Sequence, residues 1–268
     1  MKKMALVLAA VLASGMVLTA CGGSGNAAKE TTGNNTSTTT TTTGGLDLAV
    51  QVGPDPETVD PALNTAIDAS NIILHAFETL LTFDENNDIV PGQAESFDVS
   101  DDGLTYTFHL RDGLKWSDGS DFTAEDFVYS WKRLADPMTA APYAADMLSM
   151  VKGYEEAAAG DIDALAVSAP DAKTLVVELA SPCVYFDKII THASMAPVKK
   201  DVVDANGDQW ALAPETYVSN GPLKMIEWVP GSHMTFAKNE NYWNADKVTL
   251  NSLKFVLMED SNAAYSAY

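Results

Sequence analysis

Chemistry in this chain would need a nucleophile, a base or a set of metal ligands, and the sequence offers little of each. Its four histidines, His75, His109, His192 and His233, are scattered. The first two fall inside ordered segments, where packing or hydrogen bonding is the simpler use of the ring, and the other two stand singly near turns. No GxSxG places a serine on a strained strand-to-helix turn. A triad can be assembled in any chain order, so the missing motif alone does not exclude one. The 37 Asp and Glu residues supply so many carboxylate pairs that none stands out as the acid and base of a glycosidase. HExxH, CxxC and the Walker A pattern are absent. One spacing imitates a metal loop: Asp84, Asn86, Asp88 and Glu95 occupy the ligand positions of an EF-hand. Its sixth position is Ile89 rather than the glycine that the sharp bend requires, and Pro91-Gly92 interrupts the loop, so a solvated hairpin turn is expected there. The expectation is no catalytic residue, no metal and no cofactor.

Composition narrows the classes further. With 268 residues, 46% of them hydrophobic, the chain is long enough for one large core or two smaller ones. A net charge of −21 repels nucleic acid and anionic headgroups, so no nucleic-acid partner is expected. Two cysteines cannot make a disulfide framework, and Cys183 reads as a buried apolar filler.

The elements that would position any site are clearest in residues 104–131. Tyr106, Phe108 and Leu110 alternate with Thr105, Thr107 and His109, the period of a strand with one buried face. Arg111-Asp112-Gly113 closes it, Lys115-Trp116-Ser117 is a short extended piece, and Asp118-Gly119 is a second turn in which glycine supplies positive φ at no steric cost. Thr123 fits the N-cap of a helix. Glu125 and Asp126 put negative charge in its first turn, where the free N–H groups favour it, and Phe122 can staple onto Phe127. Phe127, Trp131 and Leu134 then repeat at helical spacing until Asp136-Pro137 ends the run.

At the N-terminus, Lys2 and Lys3 precede an apolar run over residues 4–17, which has the length of a signal peptide and is short for a membrane span. Leu18-Thr19-Ala20-Cys21 follows, and small residues before a cysteine resemble the bacterial lipoprotein signal. That resemblance implies a signal peptide at residues 1–20 and lipidation of Cys21; an ordinary secretory cleavage site beside a cysteine is the other reading. Acyl chains contribute about 0.8 kcal/mol per buried CH₂, so two or more would hold the protein stably on a membrane. Residues 21–45 are rich in Thr, Gly, Asn and Ser, too polar to offset the entropy of ordering, so a disordered tether of about 25 Å is expected. Whether its threonines carry sugars is left open.

Beyond the tether, residues 46–52 alternate as a strand that Gly53-Pro54-Asp55-Pro56 breaks. After Asp60-Pro61 an irregular segment is expected through Ile67, with Ser70 or Asn71 capping a helix that carries Ile73, Phe77, Leu80 and Leu81. Residues 81–83 return to strand. Tyr143 introduces one helical stretch with Met147, Met150, Val151 and Tyr154, a stripe that reads as core. Residues 174–179 make a strand set beside residues 106–110, and Phe186, Ile189 and Ile190 a short helix. Residues 223–229 and 234–237 form a hairpin turned by Pro230-Gly231, and Tyr242-Trp243 is an aromatic corner. Leu253, Phe255 and Leu257 form a further strand, after which Ser261-Asn262 caps a helix from Ala263. The sequence stops a few residues into that helix, so a truncated chain is expected.

The block YTFHLRDGLKWSDG...TAEDFVYSW closely resembles the signature of the oligopeptide, dipeptide and nickel family of substrate-binding proteins that serve ABC importers. The resemblance runs from GPDPETVDP at Gly53 through NENYWNADKV to MEDSNAAYSAY. It implies a mixed α/β fold, a periplasmic-binding-protein-like clamp of two lobes, of which this chain holds the first lobe with its extra subdomain and lacks the second. Residues 46–77 and 200–268 are then the incomplete first-lobe sheet domain, and residues 78–199 the subdomain. It also implies a monomer without enzymatic activity, anchored by lipid outside the cytoplasmic membrane, that captures short peptides and delivers them to an ABC permease. The peptide would lie extended and pair through its main chain while its side chains enter roomy hydrated pockets, so affinity would not demand a side-chain sequence. Matched residue by residue, Thr65, Ala66 and Ile67 fall on the stretch beside the peptide and Tyr143 on a tyrosine lining the same cleft. A plain connector and a packed aromatic are the structural alternatives for these positions. An acidic group for the peptide amine would lie beyond Tyr268. Dipeptides, nickel chelates or sugars are the alternative ligands within the family; a surface hydrolase or an adhesin-like lipoprotein are the alternatives from another class.

Overall fold

The computed structural model describes residues 45–267; the expected signal peptide, Cys21 and the tether up to residue 44 lie outside them. The described chain opens with β1 (Leu46–Gly53). α1 (Ile67–Ala76) follows, and it begins three residues before the expected Ser70 cap. The reason is Asn64: its Oδ1 accepts from the Ala66 N–H (2.9 Å) and its Nδ2 donates to Ser70 Oγ (2.8 Å), so Ser70 already sits within the first turn. α1 also ends at Ala76, and Phe77, Leu80 and Leu81 are buried in the connection and in β2 (Leu81–Phe83) rather than on the helix. The hairpin from β2 to β3 (Ile89–Pro91) is closed by Asp84, whose Oδ1 accepts from the N–H groups of Asn86 (2.8 Å) and Asp88 (2.9 Å). That carboxylate closes a turn.

β4 (Ala94–Val99) pairs antiparallel with β5 (Thr105–Leu110), whose Tyr106, Phe108 and Leu110 are buried as the alternation requires. α2 (Ala124–Ala135) carries the expected cap: the Asp126 carboxylate accepts from the Thr123 N–H at 2.8 Å, and Phe122 meets Phe127 edge-on at 5.5 Å. The helical stretch expected after Tyr143 is instead two short helices, α3 (Ala144–Leu148) and α4 (Tyr154–Ala158). Gly153 separates them at φ +80°, and Val151 bridges to Leu179, so the intervening backbone pairs with a strand end in place of continuing the helix. Leu148, Val151 and Tyr154 are buried there, whereas Met147 and Met150 are only half-buried.

β6 (Val167–Asp171) and β7 (Thr174–Glu178) complete a four-stranded antiparallel sheet in the order β4-β5-β7-β6, with Tyr106 opposite Val177 and Phe108 opposite Leu175. α2 lies across β6 and β7 and buries Phe127, Trp131 and Leu134, each worth about 1.5–3 kcal/mol in apolar surface removed from water. α5 (Phe186–Ile190) is the expected short helix; after it, Trp131 Nε1 donates to Met195 O (3.0 Å) and the Val198 N–H to Ser130 Oγ (2.7 Å), pinning the return segment to α2. α6 (Lys200–Asn206) leads to the hairpin of β8 (Leu223–Val229) and β9 (His233–Lys238), then β10 (Leu250–Leu257). These strands and β1 make the other four-stranded sheet, ordered β1-β10-β9-β8, in which β1 runs parallel to β10. α7 (Ser261–Ala267) is capped one residue earlier than expected, because Asp260 Oδ1 accepts from the N–H groups of Asn262 (2.7 Å) and Ala263 (3.0 Å).

Candidate functional site

Between β1 and α1 the chain is irregular, yet Val59, Asp60, Ala62 and Asn64 are each no more than 4% exposed. A buried irregular segment has to satisfy its backbone and its charge locally. Asp60 meets most of that requirement. Its carboxylate accepts from Arg133 Nη1 (3.0 Å) and Nη2 (2.6 Å), from Trp210 Nε1 (2.9 Å) and from the Ala62 N–H (2.9 Å). Its carbonyl accepts from the N–H groups of Leu63 (3.1 Å) and Asn64 (3.0 Å). A two-pronged guanidinium-carboxylate pair fixes orientation as well as position, and a following proline such as Pro61 disfavours a helical backbone at Asp60. Tyr217 donates to Val59 O at 2.9 Å, and complete burial pushes its phenol well above the usual range. Trp210 and Tyr217 stack at 5.7 Å with Phe77 edge-on to both.

Thr65, Ala66 and Ile67 are the free edge of that clamp. All three are exposed, Ile67 to 80%, so none of them is committed to the core. A cavity of about 330 Å³ lies beside Thr65 and Ala66, walled by the chain at Pro54 and Thr58 and by Asp68 of α1.

Tyr143 ends the loop before α3 and is half-buried, its ring edge-on to His192 at 5.5 Å. His192 Nδ1 accepts from the Ser194 N–H at 3.2 Å, which leaves the proton of the neutral ring on Nε2. Burial holds this imidazole below its usual range, against an opposing pull from the Asp146 carboxylate. A second cavity of about 340 Å³ is lined by Ser70 and Leu74 of α1, Phe83 of β2, and Lys188, Thr191 and His192. Ser70 Oγ donates to Ala66 O at 3.1 Å. Neither Ala66 nor Tyr143 lines this cavity; each touches a residue that does, Ala66 through Ser70 and Tyr143 through His192.

Two buried carboxylate clusters escaped the sequence reading, and Asp60 is the first. The second is Glu78, which accepts from Gln93 Nε2 (2.7 Å), from Trp243 Nε1 (2.7 Å) and from the Tyr242 hydroxyl. Burial raises its pKa from the ordinary carboxyl value, opposed by those three hydrogen bonds and by Arg111. Arg111 stacks over the Trp243 ring at 3.6 Å, and Asn220 takes the backbone N–H and C=O of Glu78 (3.1 and 2.9 Å). Tyr242-Trp243 was legible as an aromatic corner, but nothing local to Glu78 marks it as their partner.

The remaining histidines are occupied: His75 Nδ1 lies 2.7 Å from Asn71 O, His109 Nε2 2.9 Å from Asp98 and His233 Nε2 2.9 Å from Glu227. Among the described residues, no three His, Cys, Asp or Glu side chains converge to hold a metal ion. Cys183 is buried and has no disulfide partner among the described residues. What the arrangement offers is an exposed stretch at residues 65–67, anchored through Asn64 and Asp60 and bordered by an open cavity, which suits holding a flexible ligand.

Among known proteins, residues 88–268 match the bacterial extracellular solute-binding proteins, family 5, middle region. The chain is 34% identical over 264 residues to the oligopeptide-binding protein OppA of Bacillus subtilis, a match covering 98% of this chain and 47% of that protein. It is 36% identical over 217 residues to the probable deoxycholate-binding periplasmic protein YgiS of Escherichia coli, covering 80% of this chain and 40% of that one. The solved structure of Haemophilus influenzae OppA in complex with RPPGFSPFR superposes with a TM-score of 0.79 at 36% identity, over 82% of this chain and 44% of the other. The chain spans less than half the length of each of these relatives.

Proposed function

This chain belongs to the bacterial extracellular solute-binding proteins of family 5, and from that premise we propose that it is the first-lobe portion of an oligopeptide receptor. In this reading the protein captures short peptides outside the cytoplasmic membrane and hands them to an ABC permease, without chemical change to the ligand. The observation that carries it is the likeness over nearly the whole chain to a protein named for oligopeptide binding. Residues 46–77 and 200–268 act as the sheet domain of the lobe and residues 78–199 as its extra subdomain. A monomer held to the membrane through lipid on Cys21, with residues 21–45 as the tether, completes the proposal.

The peptide runs beside Thr65, Ala66 and Ile67 and pairs with the backbone of Thr65 and Ile67, since the Ala66 N–H and C=O are held by Asn64 and Ser70, while Tyr143 borders the path of its side chains. Two properties support these roles. The Asp60 clamp makes residues 65–67 rigid before ligand arrives, which lowers the entropy lost on binding. The two cavities of about 330 and 340 Å³ leave room for side chains with their water, so binding can tolerate many sequences.

The test is to purify the full-length protein without denaturing it, unfold it, and identify what is released by mass spectrometry. A mixture of short peptides is the expected result. Release of a single non-peptide molecule such as a bile acid, a nickel chelate or a sugar, with no thermal stabilisation by a peptide library, would refute the peptide assignment.

A further inference from the structure

Cations are scarce in this chain, 16 Lys and Arg against 37 Asp and Glu, and most lysines of the described residues are tied into ion pairs with carboxylates. Lys188 is not. Its side chain makes no ion pair or hydrogen bond among the described residues, although the Lys188 N–H donates to the neighbouring Asp187 carboxylate at 2.8 Å. It stands at the cavity it shares with Ser70, Leu74, Phe83, Thr191 and His192.

Two side chains at this cavity keep donors that no acceptor among the described residues takes. His192 has its Nδ1 occupied by the Ser194 N–H, so its Nε2–H is a donor with no protein acceptor among the described residues. Thr191 donates its hydroxyl proton to Lys188 O at 2.8 Å, and Ser70 donates to Ala66 O while accepting from Asn64. The two unused donors are thus a charged one at Lys188 and a neutral one at His192. Leu74 and Phe83, 43% and 49% exposed, supply apolar surface beside them. Lys188 and the His192 Nε2–H can donate together to one carboxylate, with Leu74 and Phe83 able to cover a short methylene stem, while the lone pairs left on the Thr191 and Ser70 oxygens can accept from its hydrating water.

We propose that this cavity is a specificity subsite for a carboxylate of the bound peptide, received by Lys188 with the His192 Nε2–H as second donor. The proposal rests on the peptide-receptor reading above and narrows it: the receptor takes many sequences but ranks them by negative charge at one place. The carboxylate can be an acidic side chain or the peptide C-terminus.

The experiment titrates the full-length protein, freed of ligand by unfolding and refolding, in a calorimeter with tetra-alanine and its variants carrying Glu, Gln or Lys at each position. Each peptide is used as free acid and as C-terminal amide. The expected result is one position at which Glu binds about tenfold tighter than Gln. Lys188→Gln should bring that ratio to about one, and Lys188→Glu should reverse it in favour of the Lys peptide. If position makes no difference but amidation costs about tenfold in the parent protein and nothing in Lys188→Gln, the proposal holds with the terminal carboxylate as the group received. Peptides that bind with neither dependence, or with dependences that Lys188→Gln leaves intact, overturn the subsite while the receptor reading stands. Failure of every peptide to bind overturns the receptor reading, and the subsite with it.

Discussion

Replacing Asp60 with alanine should be among the most damaging single changes in this chain. The side chains of Asp60 and Arg133 are 3% and 14% exposed, so the pair is cut off from water on nearly every side. Removing one member of a buried pair leaves the other charge without compensation, at a cost of about 3–5 kcal/mol. Asp60→Ala would also orphan the Trp210 Nε1–H and the Ala62 N–H. Each buried donor left without an acceptor costs about 1–3 kcal/mol on its own. The terms are not additive, because water entering the space left by the carboxylate would serve several donors at once, and a total of about 4 kcal/mol is expected. At about 2–4 °C per kcal/mol for a domain of this size, Tm should fall by roughly 8–16 °C. Urea unfolding followed by tryptophan fluorescence measures the loss, with Trp210 as a reporter at the site. A companion variant, Asp60→Ala with Arg133→Met, removes the stranded charge and should recover at least half of the lost stability. A loss below about 1 kcal/mol in the single variant, or no recovery in the double, would refute the view that this pair clamps the segment.

Three further outcomes follow from the same geometry. Gly153→Ala places a methyl 1.9 Å from Ala164 O at a backbone φ of +80°, so a loss of about 2 kcal/mol or more is expected, whereas Gly160→Ala, with nothing near its added carbon, should lose only the cost of its own positive φ. Burial pushes the Asp126 carboxyl from 3.8 up to about 6, so the folded chain holds this proton more tightly than the unfolded one. The stability it contributes, up to about 3 kcal/mol, is complete below about pH 4 and is lost as pH rises through about 6; Asp126→Asn should flatten that part of a plot of urea midpoint against pH. Ile67→Glu alters a side chain that is 80% exposed, so its urea midpoint should stay within about 0.5 kcal/mol of the parent while peptide affinity, read by calorimetry, falls.

Where local periodicity decides structure, the sequence was readable. The strand with Tyr106, Phe108 and Leu110 inside, the Thr123 cap with its Phe122 staple, and the hairpin turned at Pro230-Gly231 all involve neighbours within a few residues, and all are as expected. The departures have two causes, a local polar side chain in one case and a distant backbone partner in the other. The start of α1 was misplaced because Asn64, three residues before the helix, takes the polar role that was assigned to Ser70 or Asn71. The expected helix after Tyr143 was split because Val151 finds a partner at Leu179, a pairing that no window around Val151 contains. The candidate site divides in the same way. Thr65, Ala66, Ile67 and Tyr143 were reached through a resemblance, whereas Lys188 and His192, which share a cavity with α1, sit in a stretch with no motif of its own.

The two carboxylate clusters also constrain how the two four-stranded sheets can move against each other. Asp60 draws its donors from Arg133 on α2, which packs on one sheet, and from Trp210, which precedes the strands of the other. Glu78 does likewise, with Gln93 and Arg111 from the ends of β4 and β5 and Asn220, Tyr242 and Trp243 from the ends of β8 and β9. To swing one sheet against the other would break both clusters and strand two buried carboxylates, each at a cost of several kcal/mol. A peptide that binds with about −8 kcal/mol at micromolar affinity has too little differential binding energy to drive such a change. Residues 65–67 and Tyr143 are therefore expected to keep their spacing if a peptide binds as proposed. Amide exchange at Asp60, Glu78 and their partners should be equally slow in the free and the peptide-bound protein, and faster exchange on addition of peptide would refute the view that these clusters hold the sheets together.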